Sequence, residues 1–248
     1  MTVKDQTAVV TGAGSGIGRE AAMLFAERGA RVVVADIDAP AAEETVSRIR
    51  EAGGEAMVSE TDVSDGESVK EMFDRTEAAY GGVDTLYNNA GIPQQSTPIE
   101  EISEETWDRN HEVNLKSVFL TTKHALPYLR DGGGAVINQA SVAALRPRDG
   151  LSAYVAAKGG VVALSKQLAY ELADDGIRVN AICPGPTDTD MLPQFTGDGI
   201  SMEEYRSTVP LGRLLDVNDI ASAAVFLASD EGSMLTGVAL PVDGGRSI

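Results

Sequence analysis

The chain has little of what marks metal sites, disulfide frameworks or membrane spans. One cysteine, Cys183, stands among 248 residues, so no intrachain disulfide can form. Beside Pro184 it reads as a small buried side chain rather than a nucleophile. The two histidines, His111 and His124, have no cysteines at ligand spacing. They read as surface or helix-packing residues, and no metal is expected. No apolar run approaches the roughly 20 residues of a membrane helix. The stretch from Met1 to Asp5 lacks the basic and apolar regions of a signal peptide, so the expectation is a cytoplasmic protein.

Lysine is also scarce, with 6 against 14 arginines, while Asp and Glu together number 38. The net charge is −18 and the pI about 4.4. Nucleic-acid phosphates and anionic membranes both demand basic patches, so neither is an expected partner. Acidic, lysine-poor surfaces are familiar from proteins of salt-loving organisms, where salt screens the self-repulsion. A halophilic adaptation is the expectation.

Hydrophobic residues make up 43% of the chain, enough for a sizeable core. Short apolar runs alternate with helical patterns. The runs are Thr7–Thr11, Arg31–Asp36, Glu55–Ser59, Thr85–Asn88, Ala135–Ala140, Arg178–Ile182 and Val238–Val242. Several are almost wholly apolar, as strands buried on both faces are. In one intervening segment Val161, Leu164, Leu168 and Leu172 recur at helical spacing. This alternation predicts one α/β domain over residues 1–248, doubly wound and Rossmann-like, with a seven-stranded parallel sheet covered by helices on both faces. No repeat, low-complexity tract or linker interrupts it. The Asp131-Gly132-Gly133-Gly134 stretch reads as a turn. The least patterned segment, 188–210, containing Gly197 and Gly199, reads as a mobile, partly helical substrate lid.

The first predicted strand runs into Thr11-Gly12-Ala13-Gly14-Ser15-Gly16-Ile17-Gly18, and a helix follows. Glycine here permits a tight turn, close approach of backbone to a pyrophosphate and close helix–strand packing. The helix N-terminus supplies free N–H groups and a favourable dipole. Between a strand and a helix, this run points to a dinucleotide site, with Gly12, Ser15, Gly16, Ile17 and Gly18 as contacts. The second strand ends at Asp36, where an acid accepts hydrogen bonds from the ribose hydroxyls and repels a 2′-phosphate. Ser15 and Ile37 offer that phosphate no cation. NAD is therefore expected over NADP. The plainer role for Asp36 is capping the next turn with Asp38 or Pro40.

Tyr154 and Lys158 lie four residues apart on a predicted helix and so share a face. A tyrosine of ordinary pKa, about 10, is a poor base at neutral pH. An adjacent ammonium should lower that pKa and let the phenol exchange a proton with a substrate oxygen.

Taken together, these motifs closely resemble the short-chain dehydrogenase/reductase family, in its short single-domain branch. Thr11 to Gly18 fits its glycine element, and Asn88-Asn89-Ala90-Gly91 its element after the fourth strand. Asn114 within Val113-Asn114-Leu115, Ser141 thirteen residues before Tyr154, and Pro184-Gly185 after the sixth strand complete the series. The resemblance implies an enzyme interconverting a secondary alcohol and its carbonyl by hydride transfer. Tyr154 would be general acid/base, Lys158 would tune it and hold the nicotinamide ribose, and Ser141 would hydrogen-bond the substrate oxygen. Asn114 would position a relay water. Asp62 and Val63 would flank the adenine. Asn88, Ala90 and Gly91 would line the adenosine ribose and sheet centre. Pro184, Gly185, Thr187 and Thr189 would contact the cofactor, with Thr189 on the nicotinamide carboxamide. Thr187 and Gln139 depart from the family's usual apolar residues, and the sequence offers no account of Gln139.

Substrate-lining positions would include Gln94, Gln95, Arg146, Arg148, Met191 and Phe195. Gln94 and Arg148 read either as rim residues in water or as a hint of a hydroxyl-rich or carboxylated substrate, such as a sugar or hydroxy acid. Family members often pack the helix around Gly159 and Gly160 against a second subunit, and Val238–Gly245 resembles their tetramer-building segment. A homotetramer is expected, with a dimer next. The competing readings are an NADPH-dependent reductase of carbonyls or 3-oxoacyl thioesters, which Asp36 disfavours, and a catalytically idle dinucleotide-binding module. The idle module predicts loss of Tyr154, Lys158 or Ser141, and all three are present.

Overall fold

The computed structural model describes residues 1–129, 132–195 and 201–248. Asp131 of the expected turn and positions 196–200 of the expected lid, with Gly197 and Gly199, lie outside the described residues.

Seven strands form one all-parallel sheet: β1 (Thr7–Thr11), β2 (Arg31–Asp36), β3 (Glu55–Glu60), β4 (Thr85–Asn88), β5 (Gly134–Gln139), β6 (Ile177–Pro184) and β7 (Ala239–Val242). Their spatial order is β3-β2-β1-β4-β5-β6-β7. The strand order reverses between β1 and β4, the switch point outside which such sheets bind ligands. Strand bounds differ from the expected ones by a residue or two. The largest difference is at β6, which runs on to Pro184 because its pairing with β7 continues to Pro184 opposite Val242.

Alternate residues of each strand feed opposite layers. Val10, Val34, Ile137 and Ile182 pack against helices α1 (Gly16–Glu27), α2 (Ala39–Glu51) and α8 (Val217–Ala228). Val9, Val33, Leu86, Val136 and Val179 face α3 (Gly66–Tyr80), α5 (Ser117–Leu129) and α6 (Ser152–Glu171). Helix α4 (Glu104–His111) leads into one π turn, Glu112–Lys116, ahead of α5. The expected lid contains a 3₁₀ turn, Leu192–Phe195, and the short α7 (Met202–Ser207). No described helix is long and apolar enough to cross a membrane.

Helix starts divide into two kinds. Asp38, Asp65, Ser103, Ser201 and Asp216 cap α2, α3, α4, α7 and α8 through their own side chains, the usual way of satisfying the first free N–H groups. Helices α1 and α6 follow Ser15 and Leu151 at their N-cap positions, neither of which supplies a side-chain cap. Both open toward the same cleft.

Candidate active site

A cleft of about 400 Å³ lies along the C-terminal ends of the central strands, bordered by the glycine loop, Asp36, Asn114, Ser141, Tyr154, Lys158 and Thr189. Gly12 sits at φ +63°, and a Cβ there would stand 2.8 Å from the Ala90 Cα. A Cβ on Gly18 would collide with the Gly12 carbonyl oxygen. The loop is therefore drawn tight against α1, with Gly12, Ser15, Gly16 and Ile17 on the cleft and Gly18 packed beneath them. Asn89 pins the loop by donating to the carbonyls of Thr11 (3.0 Å) and Gly12 (3.1 Å). The sequence motif contains Asn89 but gave no sign that it, and not Asn88, borders the cleft.

Asp36 also borders the cleft. One carboxylate oxygen accepts from the Gly14 N–H at 2.8 Å and the other from Asp38 N–H at 3.0 Å. Each oxygen retains acceptor capacity. The nearest cation to the loop, Arg19, is already engaged with Glu44 at 3.1 Å and Thr45 at 3.1 Å. Next along the cleft come Asp62 and Val63. Ser64 donates to Asp62 from its hydroxyl (2.6 Å) and its amide (2.9 Å), and this hydrogen bonding holds the carboxyl below its usual range.

At the other end, Tyr154 and Lys158 project from the first turns of α6, both buried. The Lys158 Nζ lies 5.9 Å from the Tyr154 ring centroid and donates to the Gln139 carbonyl at 2.8 Å. Ser141, at the end of β5, accepts from Ala143 N–H at 3.1 Å. Asn114 lies within the π turn; its amide donates to the Ile92 carbonyl (3.0 Å) and its oxygen accepts from Ile92 N–H (3.1 Å). Single π turns occur often at functional sites. Gly91 faces both Asn114 and Lys158: a Cβ there would lie 2.7 Å from the Asn114 Oδ1 and 3.4 Å from the Lys158 Nζ.

Helical spacing alone implied that Lys158 would draw the Tyr154 pKa down. The structure corrects this. Burial pushes Tyr154 up to about 12, opposed by hydrogen bonding with Ser141 and by the charge of Arg148. Burial likewise brings Lys158 down to about 8. Both groups resist ionisation because the pocket removes water from each. Burial also raises Cys183 to about 11, the opposite of an activated thiol.

Two residues stand elsewhere than expected, and Gln139, for which the sequence offered no account, finds a partner. The Asn88 side chain is turned inside, donating to Asn138 (2.8 Å) and accepting from Thr121 (2.7 Å); Asn138 donates in turn to Ser165 of α6 (2.9 Å). This buried chain of bonds ties β4 and β5 to the helix carrying Tyr154. Gln94 is 2% exposed and does not border the cleft. Its oxygen accepts from Tyr154 N–H at 2.8 Å while its amide donates to the Gly150 carbonyl at 3.0 Å. It thus caps α6 from outside, in place of the expected substrate contact. Gln139 accepts the Tyr87 hydroxyl at 2.8 Å. Tyr87 is fully buried and needs that partner.

Of the other expected positions, Pro184, Gly185, Thr187, Thr189, Arg148, Met191 and Phe195 border the cleft, while Gln95 and Arg146 do not. Phe195 meets the Tyr154 ring edge-on at 5.0 Å. Arg246, near the C-terminus, borders the cleft as well, which no motif signalled.

The chain belongs to the short-chain dehydrogenase/reductase family: a family model described as enoyl-(acyl carrier protein) reductase matches residues 12–247. It is an oxidoreductase of that family. It is 41% identical to the cis-4-hydroxycyclohexanecarboxylate dehydrogenase of Sinomonas cyclohexanicum, over 97% of this chain and 96% of that one. It is 39% identical to the cyclohexanol dehydrogenase of an Acinetobacter strain, over 97% and 94%. A crystal structure of the Brucella melitensis 3-ketoacyl-(acyl-carrier-protein) reductase, complexed with NADH, superposes with a TM-score of 0.94 at 40% identity, covering all of both chains.

Proposed function

We propose that this protein is an NAD-dependent dehydrogenase of secondary alcohols, acting on a cyclic or sugar-like alcohol or hydroxy acid. The observation that carries the reading is the single cleft joining the uncapped N-terminus of α1 to Tyr154, Lys158 and Ser141. The cradle fits a dinucleotide: a Cβ added at Gly12, Gly14 or Gly18 would collide with its neighbours, and the first N–H groups of α1 have no capping side chain. Asp36 supports NAD over NADP, because its carboxylate would face a 2′-phosphate while Arg19 is already held by the Gly14 carbonyl and Glu44.

When bound, the nicotinamide supplies the hydride acceptor. The protein's own residues handle the proton and the oxygen. Ser141 donates to the substrate oxygen and Tyr154 exchanges its proton. Lys158 holds the ribose hydroxyls, and Asn114 positions a relay water. Pro184, Gly185, Thr187 and Thr189 support the nicotinamide. Asp62 and Val63 support the adenine. Residues 188–210 act as the lid.

A cytoplasmic homotetramer adapted to salt completes the reading. A Cβ on Gly159 of α6 would meet nothing within 4 Å, leaving that helix face open to a second subunit, and β7 is a half-exposed sheet edge. The second reading, reduction of a 3-oxoacyl thioester, draws on the relative of that name bound to NADH.

The test is NADH absorbance with purified protein, NAD or NADP, and a panel of cyclic alcohols, hydroxy acids and sugars, in low and molar salt. NADH formed from a ring alcohol, faster with NAD, supports the proposal. Turnover confined to NADPH and a 3-oxoacyl thioester would replace it with the second reading. Turnover only in molar salt would support the halophilic adaptation.

A further inference from the structure

The substrate end of the cleft carries positive charge that the protein itself does not neutralise. Arg148 and Arg246 both border it, together with Tyr154 and Phe195. Each stands over the buried ring of Tyr205, with guanidinium carbons 5.3 Å and 5.7 Å from its centroid. Arg148 donates to the Tyr205 hydroxyl at 3.2 Å, and Arg246 donates to Thr208 Oγ1. Arg146 is tied alongside, donating to the Arg246 carbonyl at 2.7 Å.

Among the described residues, no carboxylate comes within 4 Å of any of these three arginines, although the chain carries a net charge of −18. Asp243, three residues before Arg246, gives its oxygens to the amides of Gly245 (2.9 Å) and Ser247 (2.7 Å) and attracts Arg246 only through space, without pairing with it. Asp190 borders the cleft but is exposed. Arg246 is only 8% exposed. A guanidinium that far from water is costly unless an anion meets it. Each guanidinium has five N–H donors, and one from each side chain is committed to Tyr205 or Thr208.

We propose that Arg148 and Arg246 form an oxyanion subsite, so that the alcohol oxidised at Tyr154 carries a carboxylate or a similar oxyanion. This rests on the dehydrogenase reading for the reacting end but not for the anion itself. Paired guanidinium forks match a carboxylate in shape and charge. They also form a local positive field inside an acidic molecule that would otherwise repel such a substrate.

The test has two arms. Cyclohexanecarboxylate, which has no hydroxyl to oxidise, is titrated calorimetrically into the protein with NADH present, with cyclohexanecarboxamide as the neutral control. The carboxylate should bind at least about tenfold more tightly, the size expected for a charge-assisted hydrogen bond. Arg148→Gln and Arg246→Gln should each erase that preference, and Arg246→Lys should restore part of it. In the second arm, kcat/KM is compared for cis-4-hydroxycyclohexanecarboxylate and cyclohexanol. The ratio should favour the acid and collapse in Arg148→Gln, mainly through KM. Arg148 is only half-buried, so that variant guards against a folding defect in Arg246→Gln. Equal binding of carboxylate and carboxamide overturns the subsite whatever the turnover. Selective carboxylate binding without oxidation of either alcohol would uphold it and reject the dehydrogenase reading.

Discussion

Replacing Lys158 with methionine should make the protein more stable at neutral pH and nearly inactive. The lysine is 3% exposed and its pKa falls from 10.5 to about 8 because burial disfavours the ammonium. At about 1.4 kcal/mol per tenfold, that depression costs the folded state about 3 kcal/mol. The cost is fully present below pH 8 and disappears as pH rises from 8 to 10.5, where the unfolded lysine also loses its proton. Against it stands the hydrogen bond to Gln139, whose loss costs about 1–2 kcal/mol. Lys158→Met should therefore be about 1–2 kcal/mol more stable at pH 7, raising Tm by about 3–6 °C for a chain of this size. At pH 10.5 it should be the less stable of the two by a similar amount. Urea unfolding of both proteins at a series of pH values checks the difference, and Tyr154 cancels because both carry it. A variant less stable at pH 7 by an amount that does not change with pH would refute the desolvation argument.

Tyr154→Phe should retain fold and dinucleotide binding and lose about 10²–10⁴-fold in turnover; near-normal turnover would remove Tyr154 from its assigned role. In the wild type, alcohol oxidation should speed up as pH rises above neutrality, since the raised Tyr154 pKa leaves phenolate scarce at pH 7; a flat profile to pH 10 would contradict that. Asp36→Ala should narrow the ratio of kcat/KM with NAD to that with NADP, and an unchanged ratio would mean that another residue selects the cofactor. Gln94→Ala should cost about 1 kcal/mol, as other lost helix caps do, and lower kcat with the Kd for NADH unchanged. Gln94→Glu, which keeps the acceptor, should recover most of the loss, and no recovery would argue against capping.

What was legible in the chain was local. The strand and helix periods are set by which faces each segment buries, so the seven strands and their parallel order follow from alternation of apolar runs. The glycine loop and the spacing of Tyr154 and Lys158 are local patterns of the same kind. The contacts that distinguish this cleft are not local. Gln94 meets Tyr154 across 60 residues, Tyr87 meets Gln139 across 52, and Arg148 meets Tyr205 across 57.

Sequence alone thus determined the architecture and the residue types available at the cleft, because backbone periodicity and glycine sterics act within a few residues. Only the tertiary structure decided that Asn88 and Gln94 turn inward, and that Arg246 joins Arg148 at the substrate end. It also decided that Tyr154 titrates above its usual pKa and not below it. Burial and distance set those outcomes, and both are properties of the packed chain.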